Sequence, residues 1–201
     1  MFLIGLTGGI AAGKSTVANL WVSQGAIEID ADVLAREVIA PGTQGLEQIK
    51  ATFGPPIFDS DGHLDRKALG EIVFNDPEKR KQLESIVHPL VRQRAQKLVA
   101  DLPDDSIVVY TVPLLVEAQV ELPFDVVVTV EAPEDERVRR LIKTRGMTEA
   151  EALSRIKAQA TPLERAARAD HILSSNQSLA LLLHDAEVLF QKFVLANEAK
   201  S

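Results

Sequence analysis

The sequence predicts an α/β fold of three layers, a five-stranded parallel sheet between helices, with a helical insertion and a lid. Three observations predict it. Short apolar runs rich in β-branched residues alternate with helical patterns, the order expected of parallel strands joined by crossover helices. The first run leads at once into a glycine-rich loop and a helix start. The alternation is then broken by a long helical stretch, residues 33–104, too long for a simple crossover.

The strand candidates are residues 2–7, 26–30, 107–112, 126–130 and 171–173. Each is a near-continuous apolar run, as expected of central strands buried on both faces. After the first strand, Val17, Leu20 and Trp21 share one helical face, and Gly25 stands where a helix C′ residue belongs. Asp76 followed by Pro77 reads as an N-cap with proline at N1, opening a helix to about Val87. Glu134, Asp135 and Glu136 place acid in a first turn, and Arg137, Arg139, Arg140 and Lys143 place base further along, both favourable to the helix dipole. Thr148 with Glu151, and Thr161 with Glu164, have capping-box spacing. An amphipathic helix over residues 179–196 is the last element. The predicted organisation is a core of residues 1–32 and 105–201, a lid at about 137–162 within it, and an insertion of residues 33–104 over the carboxyl edge of the sheet.

The chain has 201 residues, a formal net charge of −7 and no cysteine. The acidic balance argues against a nucleic-acid partner, and without cysteine there is no disulfide, thiolate chemistry or Cys-based zinc site. The start, Met1 to Leu6, lacks the basic region of a signal peptide, and no apolar run approaches the ~18 residues needed to cross a bilayer. A cytoplasmic protein without a membrane partner is expected; oligomeric state is not legible.

Gly8, Gly9, Ile10, Ala11, Ala12, Gly13, Lys14 and Ser15 satisfy G-x-x-x-x-G-K-[ST], and Thr16 follows. Glycines let the backbone approach an anion closely, and the loop N–H groups converge on it at a helix N-terminus. In this pattern Lys14 reaches the β- and γ-phosphates and the Ser15 hydroxyl ligates Mg²⁺. The loop follows a strand and opens a helix, the context the motif requires. It predicts a P-loop fold that binds ATP with Mg²⁺.

The loop does not choose between kinase, switch and motor. No N-K-x-D guanine-reading motif occurs, and the third strand ends Tyr110-Thr111-Val112-Pro113 instead of in the acidic pair of a motor ATPase. The second strand ends Asp30-Ala31-Asp32, at the sheet edge where a doubly wound fold places its ligand. Two carboxylates one residue apart diverge, so at most one faces a site directly. Asp32 is the candidate for orienting and deprotonating an acceptor hydroxyl; the alternative is that one or both carboxylates cap the next helix. The arginines of residues 137–145 read as a closing lid that excludes water and neutralises the transferring phosphoryl group, or as a solvated basic helix end.

Over nearly its full length the chain resembles the dephospho-CoA kinase family. The resemblance runs through Leu6-Thr7-Gly8-Gly9-Ile10, Asp30-Ala31-Asp32, Leu64-Asp65-Arg66 with Leu69-Gly70, and Leu83-Glu84 with Ile86 and His88-Pro89. It continues through Val112-Pro113-Leu114-Leu115 with Glu117, Ala158-Gln159 and Ala169-Asp170 with Ile172. It implies a nucleoside-monophosphate-kinase-like core of parallel strands, a helical CoA domain and a lid. The implied reaction is ATP-dependent phosphorylation of the ribose 3′-hydroxyl of dephospho-CoA. Asp32 matches the family's catalytic aspartate. On the acceptor side the resemblance implies Thr7, Arg66, His88, Pro113, Leu114 and Glu117; taken alone, His88 before Pro89 reads equally well as a helix-junction residue. The family's lid pattern resembles R-L-x-x-R-D-G, and here Arg140-Leu141-Ile142-Lys143-Thr144-Arg145-Gly146 puts Thr144 at the second arginine's place. Either Arg145 takes that role with a one-residue shift, or Arg140 and Lys143 carry it. Asn176 falls where an adenine-side loop belongs, or in a turn and helix cap.

Other motifs are declined. Asp59 to Asp65 resembles the start of a calcium loop but has Leu64 at position 6 and Gly70 at position 12. The four histidines lack metal-ligand spacing. Trp21 is assigned to the core, and the acidic stretch of residues 101–105 to a solvated turn.

Overall fold

The structure, a computed structural model, describes residues 1–113, 115–116 and 122–200. By its contacts the chain divides into two compact units, one of Met1–Asp30 with Leu102–Ser201 and one of Ala31–Asp101.

The first unit is built on β1 (Phe2–Gly8), which is buried at every residue. β3 (Ile107–Thr111) and β4 (Val126–Glu131) flank it, and β2 (Ile27–Asp30) and β5 (His171–Ser174) form the edges, giving the order β2-β3-β1-β4-β5 with every pair parallel. Ile4 stands opposite Val109 on one side and Val126 on the other. All five expected strands are present. The expectation that each is central and fully buried is corrected at the two edges, where Ile27 and Ile172 are exposed. A four-residue apolar run has the same pattern at an edge as in the middle of a sheet, and only the strand order separates the two.

One face of the sheet is covered by α1 (Lys14–Ser23) and α9 (Leu179–Glu198). Leu6, Val17, Trp21, Leu182, Phe190 and Phe193 pack there, with Trp21 wholly buried and its indole N–H donating to the Ala186 carbonyl at 2.8 Å. Gly25, at φ 103°, ends α1 in the left-handed conformation that only glycine adopts cheaply. α6 (Glu134–Arg145), α7 (Glu149–Lys157) and α8 (Pro162–Ala166) lie between β4 and β5 in sequence. Both capping boxes form, Thr148 with Glu151 and Thr161 with Glu164, so each threonine hydroxyl and its glutamate satisfy N–H groups the helix would leave open.

The second unit contains α2 (Ala31–Glu37), α3 (Gln44–Phe53), a 3₁₀ turn (Pro55–Ile57), α4 (Arg66–Asn75) and α5 (Pro77–Ala100). Thr43, Asp65 and Asp76 cap α3, α4 and α5 through side-chain oxygens. Ile49, Ile57 and Leu69 form its buried centre. The expected end of the Asp76-capped helix near Val87 is corrected: α5 runs 24 residues and passes through Pro89. Proline lacks the N–H for one ladder bond, but the bonds before and after it persist in a helix this long. His88 is therefore an exposed mid-helix residue and no junction. Asp59, Asp61 and His63 come close together because the Asp59 carboxylate accepts the backbone N–H groups of the other two, as a polar turn does.

Candidate active site

The phosphate loop begins where β1 ends. A Cβ on Gly8 would stand 2.6 Å from the Val130 carbonyl oxygen of the neighbouring strand, so only glycine fits. The loop turns through Ala11 at φ 60°, the one non-glycine residue with positive φ among those described. That conformation costs an alanine roughly 1–2 kcal/mol, a strain of the kind stored where a loop is shaped for a ligand. Gly13, at φ 104°, is the N-cap of α1, and no side chain caps that helix. An uncapped helix start preceded by a glycine loop directs N–H groups and the positive dipole end at an anion. Lys14 and Ser15 are the first two residues of α1; Lys14 is half-buried and Ser15 exposed, and Thr16 follows half-buried.

The loop is held from three sides. Gln159 accepts the Ile10 N–H at 2.7 Å, and the Ala12 N–H returns to the Gly9 carbonyl at 3.0 Å. Arg140 of α6 donates to the Ala11 carbonyl at 3.1 Å, to Ser175 Oγ at 3.0 Å and to the Ser175 carbonyl at 2.8 Å. Its Nε is paired with Glu136 at 2.8 Å. The Ser175 hydroxyl donates in turn to the Ala12 carbonyl. Ile10 and Ala11 pack against a cluster of Val138, Leu141, Ala152 and Ile156, so α6 and α7 rest on the loop itself.

Below the loop, β4 ends at Glu131. Its carboxylate takes both Nε and Nη2 of Arg165 at 2.6 and 2.7 Å and accepts the Thr129 hydroxyl at 2.7 Å. Arg165 is 2% exposed, and its Nη1 donates to the Ala160 carbonyl. Arg137, in the first turn of α6, is 3% exposed and faces Gly9, and its Nε and Nη1 have no hydrogen-bond partner. Burial, and then the neighbouring Arg165, press its pKa below the ordinary arginine value against the pull of Glu131 and Glu134. The Thr7 hydroxyl, at the end of β1, is also buried and unpartnered.

The remaining predicted residues are placed as follows. Arg145 is exposed at the last turn of α6, before Gly146, and the Thr144 hydroxyl turns back to the Arg140 carbonyl at 2.6 Å. Asn176 is exposed after β5, and Ser178 is the residue that caps α9. Pro113 follows β3 in a turn; Leu114 and Glu117 lie outside the described residues. In the second unit, Asp32 is exposed in the first turn of α2, which directly continues β2 in the chain, and Arg66 is exposed at the start of α4. Sequence reasoning did not single out Glu131, Arg165 or Ser175. The one legible signal was Glu131, a charge closing an otherwise apolar strand.

A parallel sheet with the phosphate loop at the end of its central strand, backed by an arginine-bearing helix pair, defines a P-loop nucleotide-binding protein. The comparisons narrow the class. The dephospho-CoA kinase family model matches residues 2–180. A dephospho-CoA kinase of Frankia casuarinae is 44% identical over 201 residues, covering all of this chain and 87% of the relative. A crystal structure of a Thermus thermophilus protein superimposes with a TM-score of 0.82 at 35% identity, over 95% of this chain and 97% of that one. Dephospho-CoA kinase from Campylobacter jejuni gives a TM-score of 0.64 at 26% identity, over 95% and 96% of the two chains. The chain belongs to the dephospho-CoA kinase family, and it is a kinase.

Proposed function

We propose that this enzyme transfers the γ-phosphoryl group of ATP to the ribose 3′-hydroxyl of dephospho-CoA, giving CoA and ADP, the last step of coenzyme A synthesis. The observation that carries this reading is a family match that runs from the phosphate loop through residue 180. In the transfer the 3′-oxygen forms a bond to phosphorus as the bond to the ADP oxygen breaks, and the hydroxyl proton leaves to a carboxylate.

The loop suits the phosphate chain: a Cβ at Gly8 would collide with the Val130 carbonyl oxygen and one at Gly9 with Arg137, and Arg137 and the Thr7 hydroxyl, next to Gly8 in the chain, carry unpartnered atoms. We assign the loop, Gly8 to Thr16, to the phosphates, with Lys14 on the β- and γ-oxygens. Ser15 would hold Mg²⁺, which when bound neutralises charge on the phosphates. Asp32, exposed in the first turn of α2, takes the acceptor proton. Arg140 supports the loop from the lid side, its bonds to the Ala11 carbonyl and to Ser175 keeping the cradle shaped. Arg145 and Asn176 are assigned to the nucleotide. Arg66, His88, Pro113, Leu114, Glu117 and Thr7 are assigned to dephospho-CoA, and the helical unit, residues 33–104, to its recognition. The net charge of −7 supports a small-molecule acceptor over nucleic acid, and a cytoplasmic location accords with the absence of cysteine. Among the described residues no helix is long and apolar enough to cross a membrane.

The test is a coupled ADP-release assay with dephospho-CoA, AMP, CMP and shikimate offered in parallel. Dephospho-CoA should be the preferred acceptor; silence with it, or faster release with another acceptor, would overturn the reading.

A further inference from the structure

Arg137 is a buried cation without a counter-ion of its own. It is 3% exposed, and two of its guanidinium nitrogens, Nε and Nη1, make no hydrogen bond. An arginine does not escape this by losing its proton. Buried charges are otherwise paired and hydrogen-bonded, because the cost of leaving water is recovered in no other way.

The neighbours do not supply the pairing. Partly buried Glu131 exerts the larger attraction on Arg137, but its two oxygens are occupied by the Arg165 fork and the Thr129 hydroxyl, and Glu134, which also attracts it, is exposed to water. Arg165 therefore brings a second positive charge whose own demand is met. Glu136, one residue before Arg137, is engaged by Arg139 and Arg140. What Arg137 does face is the phosphate loop. A Cβ on Gly9 would collide with its Nη1 and would stand 3.1 Å from Nη2 of Arg165. Two guanidinium groups thus converge on the backbone of the second loop residue, on an element whose sequence and strained geometry already mark it as an anion cradle.

Arg137 and Arg140 lie three residues apart on α6 and so share a helix face, yet their situations are opposite. Arg140 spends its donors on carbonyl and hydroxyl oxygens that shape the loop. Arg137 leaves Nε and Nη1 buried without a partner. We propose that Arg137 is a ligand to the phosphate chain of the bound nucleotide; this rests on the reading of the chain as an ATP-dependent kinase. The planar fork of arginine suits two phosphate oxygens at once, where a lysine offers a point charge. Gly9 is required for the same purpose, since any side chain there would displace the guanidinium.

The experiment compares wild type with Arg137→Met, reading two quantities: the melting temperature of the free protein, and the affinity for Mg²⁺ with inorganic tripolyphosphate by calorimetry. The probe has neither adenine nor acceptor, so it isolates the phosphate chain. Removing an uncompensated buried charge should leave the melting temperature of the free protein unchanged or raised, while tripolyphosphate binds at least tenfold more weakly. A lowered melting temperature, or a loss of affinity under tenfold, overturns the proposal. If Arg137→Met does not fold, Arg137→Lys decides: it keeps the charge without the fork, so a loss of threefold or more supports the proposal and a smaller loss overturns it. Wild-type ADP release with dephospho-CoA is scored separately. Its failure beside Arg137-dependent tripolyphosphate binding would refute the acceptor assignment and support the role of Arg137.

Discussion

Glu131→Gln removes one charge and keeps the shape of the side chain, and the structure sets the size of the expected effect. The carboxylate is 15% exposed and its partner Arg165 2% exposed, with both guanidinium bonds at 2.6–2.7 Å. An exposed ion pair would contribute about 0–1 kcal/mol. Breaking a buried one by deleting a single partner costs about 3–5 kcal/mol, because the remaining charge is stranded. Here the stranding falls on two groups, Arg165 and the already unpartnered Arg137. For a chain of this size that corresponds to a fall of roughly 6–20 °C in melting temperature. Urea unfolding followed by fluorescence measures it well, since Trp21 is the only tryptophan and lies wholly buried in the same unit. The double variant Glu131→Gln with Arg165→Met should lose clearly less than the sum of the single variants, as expected for partners in one network. A loss below about 1 kcal/mol for Glu131→Gln, or strict additivity in the double variant, would refute the buried-pair reasoning.

Two further predictions concern turnover and pH. Asp32→Asn should lower kcat at least ~100-fold, the range for loss of a general base, with ATP affinity within about twofold of wild type; calorimetry showing lost ATP binding would instead make Asp32 structural or part of the Mg²⁺ shell. Glu151 and Glu164 are held below the usual glutamate pKa by the backbone N–H and then the side chain of Thr148 and of Thr161. A depressed folded-state pKa stabilises above the unfolded value, about 4.3, and that contribution fades as pH falls through the lower folded value. The melting-temperature gap between wild type and Glu151→Gln with Glu164→Gln should therefore narrow between pH 6 and pH 3, and a constant gap would contradict it.

The phosphate loop and the five strands were legible because each is written in consecutive residues. Glycine at fixed offsets, lysine and serine at the helix start, and runs of β-branched residues are local facts that local physics decodes. The place of each strand was not local: β2 and β5 carry apolar residues like those of the central strands, and only pairing makes them edges. Pro89 misled for the opposite reason, since the local rule for proline is sound and the length of α5 overrides it. The arginines were half legible. A basic cluster in residues 137–145 pointed to α6, but not to how its members divide, with Arg140 bonded to the Ala11 and Ser175 carbonyls and Arg137 buried against Gly9. The Glu131–Arg165 pair spans 34 residues and the Arg140–Ser175 pair 35, and no spacing rule connects positions that meet only once the sheet has formed.

The central claim is phosphoryl transfer to the 3′-hydroxyl of dephospho-CoA. ³¹P NMR of one reaction mixture containing enzyme, Mg²⁺, ATP and dephospho-CoA tests it most directly. The account predicts a new phosphomonoester resonance coupled to the ribose 3′-proton, growing one-for-one with ADP and only when the acceptor is present. Inorganic phosphate in its place, or a phosphomonoester at any other position, would contradict it.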